Sequence, residues 1–349
     1  MKIQTAKLVP AINFITSFVS PDDLVIFNFT TTHLEIFSAS LYFKIPGESE
    51  VEISSWSSSV EAKHLKSLAS LKAKVADEYV TFTQQTDSLV WESNVRFHVP
   101  FKASTVALET PSIASGPCIP SDVWKALSTL LARFSKDNFK GCFIYTATGF
   151  VLPGLYCIGH LPVENIPPPT NPSAFSISSV QLNKLLKIGQ DIQIGESILS
   201  STGEIDFLIR FNKNVLKDGV SVPVKFLETL LSQYPETLPK IKIKDPKLFK
   251  EFLSSTQADG KYDLCALSTE PSRLRLSFYE NKKQTNSFVF DDVEINSPQL
   301  TIYFQVKHLV AIASAAKEQL TLTFFSSAAP VKVSIDGTSE YYVMQGLVA

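Results

Sequence analysis

Four cysteines, Cys118, Cys142, Cys157 and Cys265, and five histidines, His33, His64, His98, His160 and His308, are the side chains of this 349-residue chain best suited to bind a metal or act as nucleophile and base. A structural zinc site needs close ligand pairs such as Cys-x-x-Cys. No such pair occurs, and no two histidines stand at ligand spacing. The adjacent acids Asp22-Asp23 and Asp291-Asp292 read as solvated turn residues rather than an acid/base pair. Gly-x-Gly-x-x-Gly, Gly-x4-Gly-Lys-Ser/Thr, His-Glu-x-x-His and Gly-x-Ser-x-Gly are all missing. The expectation is a chain with no catalytic residues, no metal and no cofactor, its four thiols buried in a reducing cytoplasm.

Composition narrows the class further. Thirty-two basic against 34 acidic residues give a net charge of −2, which excludes a uniformly basic nucleic-acid binder but not one with segregated charge. With 44% hydrophobic and 19% charged residues, the chain can build the cores of two or three globular domains. Phe is common (25) and Gly scarce (13), which suits a sheet-rich α+β fold without Gly-rich cofactor loops. No apolar run approaches the ~18 residues of a membrane span. Lys2 and Lys7 precede an apolar stretch broken by Pro10, Asn13, Thr16 and Ser17, so the start reads as a strand and an amphipathic helix rather than a secretion signal.

The elements recur at a fixed interval. Alternation predicts strands over 24–29, 79–82, 205–211, 274–278, 320–324 and 331–335. Apolar stripes at helical spacing predict six helices, over 6–18, 60–74, 121–136, 179–190, 245–256 and 306–318. In the third, Val123, Leu127, Leu130 and Phe134 follow one face. Successive helices begin 54 to 66 residues apart, so a unit of about 60 residues with one helix and several strands is repeated six times. Pairing the units gives three domains, 1–113, 114–238 and 239–349. Pro-bearing polar linkers at 110–117 and 234–239 agree with this. The four prolines within 166–172 read as a stiff surface loop inside the second domain.

Charge is sorted by element. The six helical windows hold fourteen basic and five acidic residues, where an even spread would give about seven basic, so they carry +9 and the remainder −11. Lys66, Lys72, Lys74, Lys125, Arg133, Lys136, Lys184, Lys187, Lys247, Lys250, Lys307 and Lys317 are the candidate contacts. Lysines spread over helices suit diffuse, sequence-independent contacts to a phosphate backbone.

This organisation resembles the DNA sliding clamps, and among them the three-domain bacterial β clamp. Met1-Lys2-Ile3 is similar to that family's first strand. Tyr234-Pro235-Glu236 with Leu238-Pro239, Gly159-His160-Leu161, and Tyr341-Tyr342-Val343-Met344 resemble its aromatic-Pro-acid and Leu-Pro elements, its Gly-His-Arg-Leu turn and its closing Tyr-Val-Val-Met strand. The resemblance departs in three places. The Arg of the turn is missing, the tail 345–349 is not of the family's Pro-Met-Arg-Leu type, and the turn Pro21-Asp22-Asp23 after the first helix is not basic. This divergence fits a phage-encoded member.

The resemblance implies a processivity factor: a head-to-tail homodimeric ring, lined by helices, that encircles double-stranded DNA and tethers a DNA polymerase without doing chemistry. It implies an apolar pocket between the second and third domains for short linear motifs of the polymerase and the clamp loader. Carried over, that pocket uses Phe139, Gly159, His160, Leu161, Pro239, Tyr342, Val343 and Met344. Phe97 and Val99 match the apolar edge strand at the subunit interface. The implied location is the cytoplasm of a bacterium or a phage-infected host. A β-rich structural or assembly protein shares the strands and the missing active site, but does not predict lysine-bearing helices at a 60-residue period.

Overall fold

The computed structural model describes residues 1–49, 56–70, 78–85, 88–93, 96–103, 110–113, 116–134, 142–154, 157–170, 172–189, 191–211, 238–257, 264–280, 283–324 and 330–344. One motif is used six times: a short strand, a helix, then a three-stranded antiparallel meander. The first is Lys2–Gln4, helix α1 (Thr5–Phe18), then Leu24–Phe29, His33–Ser38 and Leu41–Pro46. In the second, Trp56–Glu61 leads through a 3-10 turn (Ala62–Leu65) into α2 (Lys66–Ala69), followed by Tyr79–Gln84, Ser88–Glu92 and Arg96–Pro100. The third is Cys118–Ile119, α3 (Ser121–Phe134), Cys142–Thr146, Gly149–Leu152 and Cys157–Pro162, and the fourth is Ser173–Ser176, α4 (Ser179–Leu185), Ile192–Gly195, Ile198–Ser201 and Asp206–Arg210. The fifth is Lys240–Ile243, α5 (Pro246–Gln257), Leu264–Glu270, Arg273–Glu280 and Lys283–Phe290, and the sixth is Thr301–Gln305, α6 (Val306–Ala313), Leu320–Phe324, Val331–Ile335 and Tyr341–Met344. The expected repeat is therefore present as a four-strand, one-helix unit.

Two expectations need correction. The window 60–74 does not begin as a helix: Val60 and Glu61 end a strand, where Val60 pairs with Val25 and is buried. A β-branched residue after three serines favours the ladder over the helix. The thiols are not all buried either. Cys157 and Cys265 are, Cys142 is half-buried and Cys118 is exposed, and all four are free.

The chain divides into two compact units, residues 1–128 with 173–213, and 129–172 with 214–349. The division follows two seams at which meanders from different repeats pair edge to edge. In the first unit Asp206–Arg210 pairs with Leu41–Pro46, aligning Phe207 with Phe43 and Leu208 with Tyr42. This seam makes a nine-stranded sheet running from Cys118–Ile119 to Lys102–Ala103. Helix α1 covers one face, burying Leu8, Ala11, Ile12, Phe14 and Ile15. The ring of Phe14 lies 6.0 Å from Phe43, which lies 5.9 Å from Phe207 across the seam. Helix α4 starts with a capping box, Ser178 and Gln181 each bonding the other's backbone, worth about 1 kcal/mol. Gln181 and Lys184 donate to the α1 carbonyls of Ser17 (2.6 Å) and Asn13 (3.1 Å).

The second unit repeats the device. Cys157–Pro162 pairs with Tyr341–Met344, so the strands Cys142–Thr146, Gly149–Leu152, Cys157–Pro162, Tyr341–Met344, Val331–Ile335, Leu320–Phe324, Lys240–Ile243 and Val293–Asn296 follow one another in a single sheet. Gly149 closes the first hairpin at φ +125°, where an added Cβ would come within 2.3 Å of the Leu161 carbonyl oxygen. Only glycine allows that approach.

Each unit also has a four-stranded sheet: Lys2–Gln4, Tyr79–Gln84, Ser88–Glu92 and Arg96–Pro100 in the first, and Lys283–Phe290, Arg273–Glu280, Leu264–Glu270 and Thr301–Gln305 in the second. Among the described residues no helix is long and apolar enough to cross a membrane, and no cluster of three or more metal-ligating side chains occurs.

Candidate nucleic-acid interface and partner seam

The helices turn their apolar stripes inward and leave lysines outside. Helix α3 buries Trp124, Leu127, Leu130 and Leu131, and Lys125 stays exposed. Helix α4 buries Leu182 and Leu185 and exposes Lys187. Helix α5 buries Phe249 and Leu253, exposes Lys247 and half-exposes Lys250. Helix α6 buries Val306, His308, Leu309 and Ile312 and exposes Lys307. Lys66 is exposed on α2, and Lys317 is exposed beyond the end of α6. Lys72, Lys74 and Lys136 lie outside the described residues. Lys7 and Lys63 face acids, Glu204 at 3.8 Å and Asp22 at 3.8 Å, and Lys63 also meets Glu61.

Two candidate cations are already engaged. Lys184 bonds the Asn13 carbonyl. Arg133 is half-buried at the end of α3, bonding the Glu340 carboxylate and, at 2.6 Å, the Tyr342 hydroxyl. Burial works against the charge of Arg133, but Tyr342 and Glu340 hold its pKa above the usual value. Helical spacing sets Arg133 three residues after the buried Leu130, on the edge of the stripe. That is the one sequence signal for its inward role. The buried acid Glu340 has none.

The residues expected to form the partner pocket meet at the second seam. Cys157, Ile158, Gly159 and His160 align with Met344, Val343, Tyr342 and Tyr341. Gly159-His160-Leu161 is thus a strand interior paired on both sides, not a turn. Successive strand residues point to opposite faces, so the set is divided. Gly159, Leu161, Tyr342 and Met344 share the face that meets Arg133. His160 and Val343 share the other with Tyr341 and Lys332.

Pro239 lies beyond the seam. Its carbonyl accepts the Phe324 amide at 3.0 Å, and two strands separate Lys240–Ile243, the strand it precedes, from Tyr341–Met344. Phe139 is outside the described residues. On the second face His160 lies 4.7 Å from the Tyr341 ring, over which Lys332 Nζ sits at 4.5 Å. Burial and then Lys332 push the His160 pKa down to about 4, and burial pushes the Tyr341 phenol up to about 12. His160 Nε2 meets the Thr148 hydroxyl at 3.2 Å, while Nδ1 is buried with no hydrogen-bond partner among the described residues. In the sequence Tyr341 stands only in the motif 341–344 and Lys332 only in the alternating strand 331–335, and neither is expected there as a site residue.

Phe97 and Val99 lie in Arg96–Pro100, which ends the first unit's four-stranded sheet. Val99 is 4% exposed and Phe97 half-exposed, its ring 6.3 Å from Trp91. The equivalent strand of the second unit, Lys283–Phe290, is exposed from Lys283 to Ser287 and again at Val289.

No protein-family model and no curated protein sequence matches the chain. Solved structures do, along its whole length. The DNA polymerase III subunit beta of Pseudomonas aeruginosa is 15% identical with a TM-score of 0.72, the match covering 100% of this chain and 99% of that one. The beta subunit of Thermotoga maritima is 14% identical with a TM-score of 0.72 and the same coverage. The C. crescentus beta sliding clamp is 15% identical with a TM-score of 0.70, over 100% of this chain and 98% of that one. At such identities a shared architecture is what the likeness carries, and the chain has the α+β fold of the bacterial β sliding clamps.

Proposed function

We propose that the chain is a DNA polymerase processivity factor, a sliding clamp that closes around duplex DNA as a head-to-tail pair. The observation that carries this is the fate of the six strands that end the meanders. Four pair with one another, Leu41–Pro46 with Asp206–Arg210 and Cys157–Pro162 with Tyr341–Met344. The remaining two, Arg96–Pro100 and Lys283–Phe290, are both sheet edges among the described residues. A third joint of the same kind can form only between copies. Two identical heterologous joints close a cycle and leave neither of these two strands as an edge open to aggregation.

In this reading the domains are 1–113, 114–238 and 239–349, and Phe97 and Val99 belong to the joint between copies. Lys66, Lys125, Lys187, Lys247, Lys250, Lys307 and Lys317 contact phosphates diffusely, so the ring slides. Arg133 and Lys184 brace helices instead. The second seam takes short linear motifs of a polymerase and a clamp loader. The chain does no chemistry; it raises the local concentration of polymerase at the primer end. Retention on DNA is topological, in the cytoplasm of a bacterial cell or a phage-infected host. A structural or assembly protein is not favoured, because it gives no reason for equivalent free edges or lysine-bearing helices.

Imaging of the purified protein by negative stain, with class averages, tests the reading. The expected result is a six-lobed ring with a hole wide enough for duplex DNA, together with stimulation of a replicative polymerase on primed circular template. A three-lobed monomer at micromolar concentration that is not retained on circular DNA would overturn it.

A further inference from the structure

The first seam carries a cavity that the reading above leaves unused. It lies on the face of the nine-stranded sheet opposite α1 and has a volume of about 470 Å³. Its floor is an apolar cluster of Phe37, Tyr42 and Leu208, against which Ile26 and Ile198 pack. These residues line up across the seam: Ile26 aligns with Phe37, Phe37 with Tyr42 and Tyr42 with Leu208. One wall is the 38–41 turn and the other is residues 110–112 of the polar linker.

The cavity is braced. The buried Glu35 carboxylate accepts from Tyr42 (3.1 Å), Thr110 (3.1 Å) and Asn28 (2.7 Å), tying the floor to the linker wall. Burial and Glu35 raise the Tyr42 phenol pKa, so it stays a neutral donor. Arg210 is the only charged residue among the described residues of the lining. It is exposed, and no carboxylate among the described residues pairs with it.

We propose that this cavity is a second peptide-binding site, taking a short segment that places an apolar side chain on the Phe37–Tyr42–Leu208 floor and a carboxylate against Arg210. The volume is in the range of sites that hold one or two side chains or a small ligand. The single cation at an otherwise uncharged rim selects the acidic group, and an arginine fork suits a carboxylate in particular. The wall at 110–112 lies outside any helix or strand, so its backbone carbonyls are hydrogen-bonding groups for the amides of a peptide chain, which a free fatty or aromatic acid would leave unmet.

The probe is the blocked tripeptide Ac-Leu-Phe-Asp-NH2, titrated into the full-length protein with methyl-labelled Leu, Ile and Met and followed by NMR. Leu208 and Ile198 report the first seam. Met344, one of only two methionines, reports the second. The expected result is saturable shifts of the Leu208 and Ile198 methyls, weakened at least tenfold by Ac-Leu-Phe-Asn-NH2 or by Arg210→Gln, with phenylpropionate binding no better than the Asn peptide. Shifts confined to Met344, an Arg210→Gln affinity equal to wild type, or equal binding of phenylpropionate would each overturn the proposal. Arg210 is exposed, so the variant keeps the fold, and its unchanged methyl spectrum without peptide checks this.

Discussion

The guanidinium Nη1 of Arg133, at the end of α3, lies 2.6 Å from the hydroxyl of Tyr342 in the last strand, with the Glu340 carboxylate bonded to both. Glu340 is 7% exposed and Tyr342 fully buried. Burial first, and Glu340 beside it, raise the Tyr342 pKa, so the phenol stays protonated. One helix is thereby fixed to the seam strand by a charge pair with little water around it.

Replacing the two ends of this bond is expected to cost unequal amounts. Arg133→Met leaves a buried carboxylate without its cation, a loss of about 3 kcal/mol. Tyr342→Phe removes the hydroxyl's bonds to Arg133 and Glu340 but leaves the ion pair itself whole, a loss of about 2 kcal/mol. Urea unfolding midpoints of the two variants measure the difference. Equal losses would mean that the ion pair contributes no more than the hydroxyl.

His160 gives the fold an acid limb. Its pKa is about 4 in the folded chain against 6.5 when unfolded. Between those values the unfolded chain binds a proton that the folded chain does not. The contribution is therefore whole above pH 6.5 and is lost as the pH falls to about 4, on the order of 3 kcal/mol in all. Unfolding at pH 7.5 and 4.5 should show a smaller drop for His160→Gln than for the wild type. An identical drop would place the acid sensitivity in other groups.

Reversing exposed helix charges should act on DNA and not on folding. Lys187→Glu with Lys247→Glu is expected to shorten the lifetime on nicked circular DNA several-fold. The slope of log affinity against log salt should flatten by about 0.9 for each phosphate that is no longer neutralised. The melting temperature should stay within a degree or two. Lys184→Glu is a poor substitute, because it also breaks the bond to Asn13. A lifetime unaffected by the double reversal would remove these helices from the DNA path.

The free edges can be tested by one exposed residue. Val289, 39% exposed in Lys283–Phe290, is expected as Glu to raise the dimer dissociation constant at least tenfold with an unchanged circular dichroism spectrum. Leu24→Glu, 53% exposed in an interior strand of the nine-stranded sheet, is the control and should leave association intact. Sedimentation at several concentrations reads both. Dissociation by Leu24→Glu alone would move the joint elsewhere.

The repeat was legible because its cause is local. Leu320–Phe324 and Val331–Ile335 alternate strictly, and their observed limits, like those of Leu24–Phe29, are the predicted ones. Stripes such as Val123, Leu127 and Leu130 need only the helical period. Window 60–74 misled because Leu65 and Leu68 satisfy that period, while Val60 at its start is drawn into a ladder with Val25, a partner far away in sequence. The seams were not legible in detail. Which face His160 takes depends on its register with Tyr341, and the engagement of Arg133 depends on Glu340, more than 200 residues later. Charge counted by element found the lysines but could not tell exposed cations from bracing ones.

The difference between the seams and the free edges is finally one of molecularity. Leu41–Pro46 meets Asp206–Arg210, and Cys157–Pro162 meets Tyr341–Met344, within a single covalent chain, so no dilution weakens those pairings. A joint between Arg96–Pro100 and Lys283–Phe290 of separate copies obeys mass action. Of the joints in the proposed closed pair, only the two between chains would therefore answer to protein concentration, and a loading machine prying that pair apart would work against hydrogen-bonded edges rather than against tethered sheets.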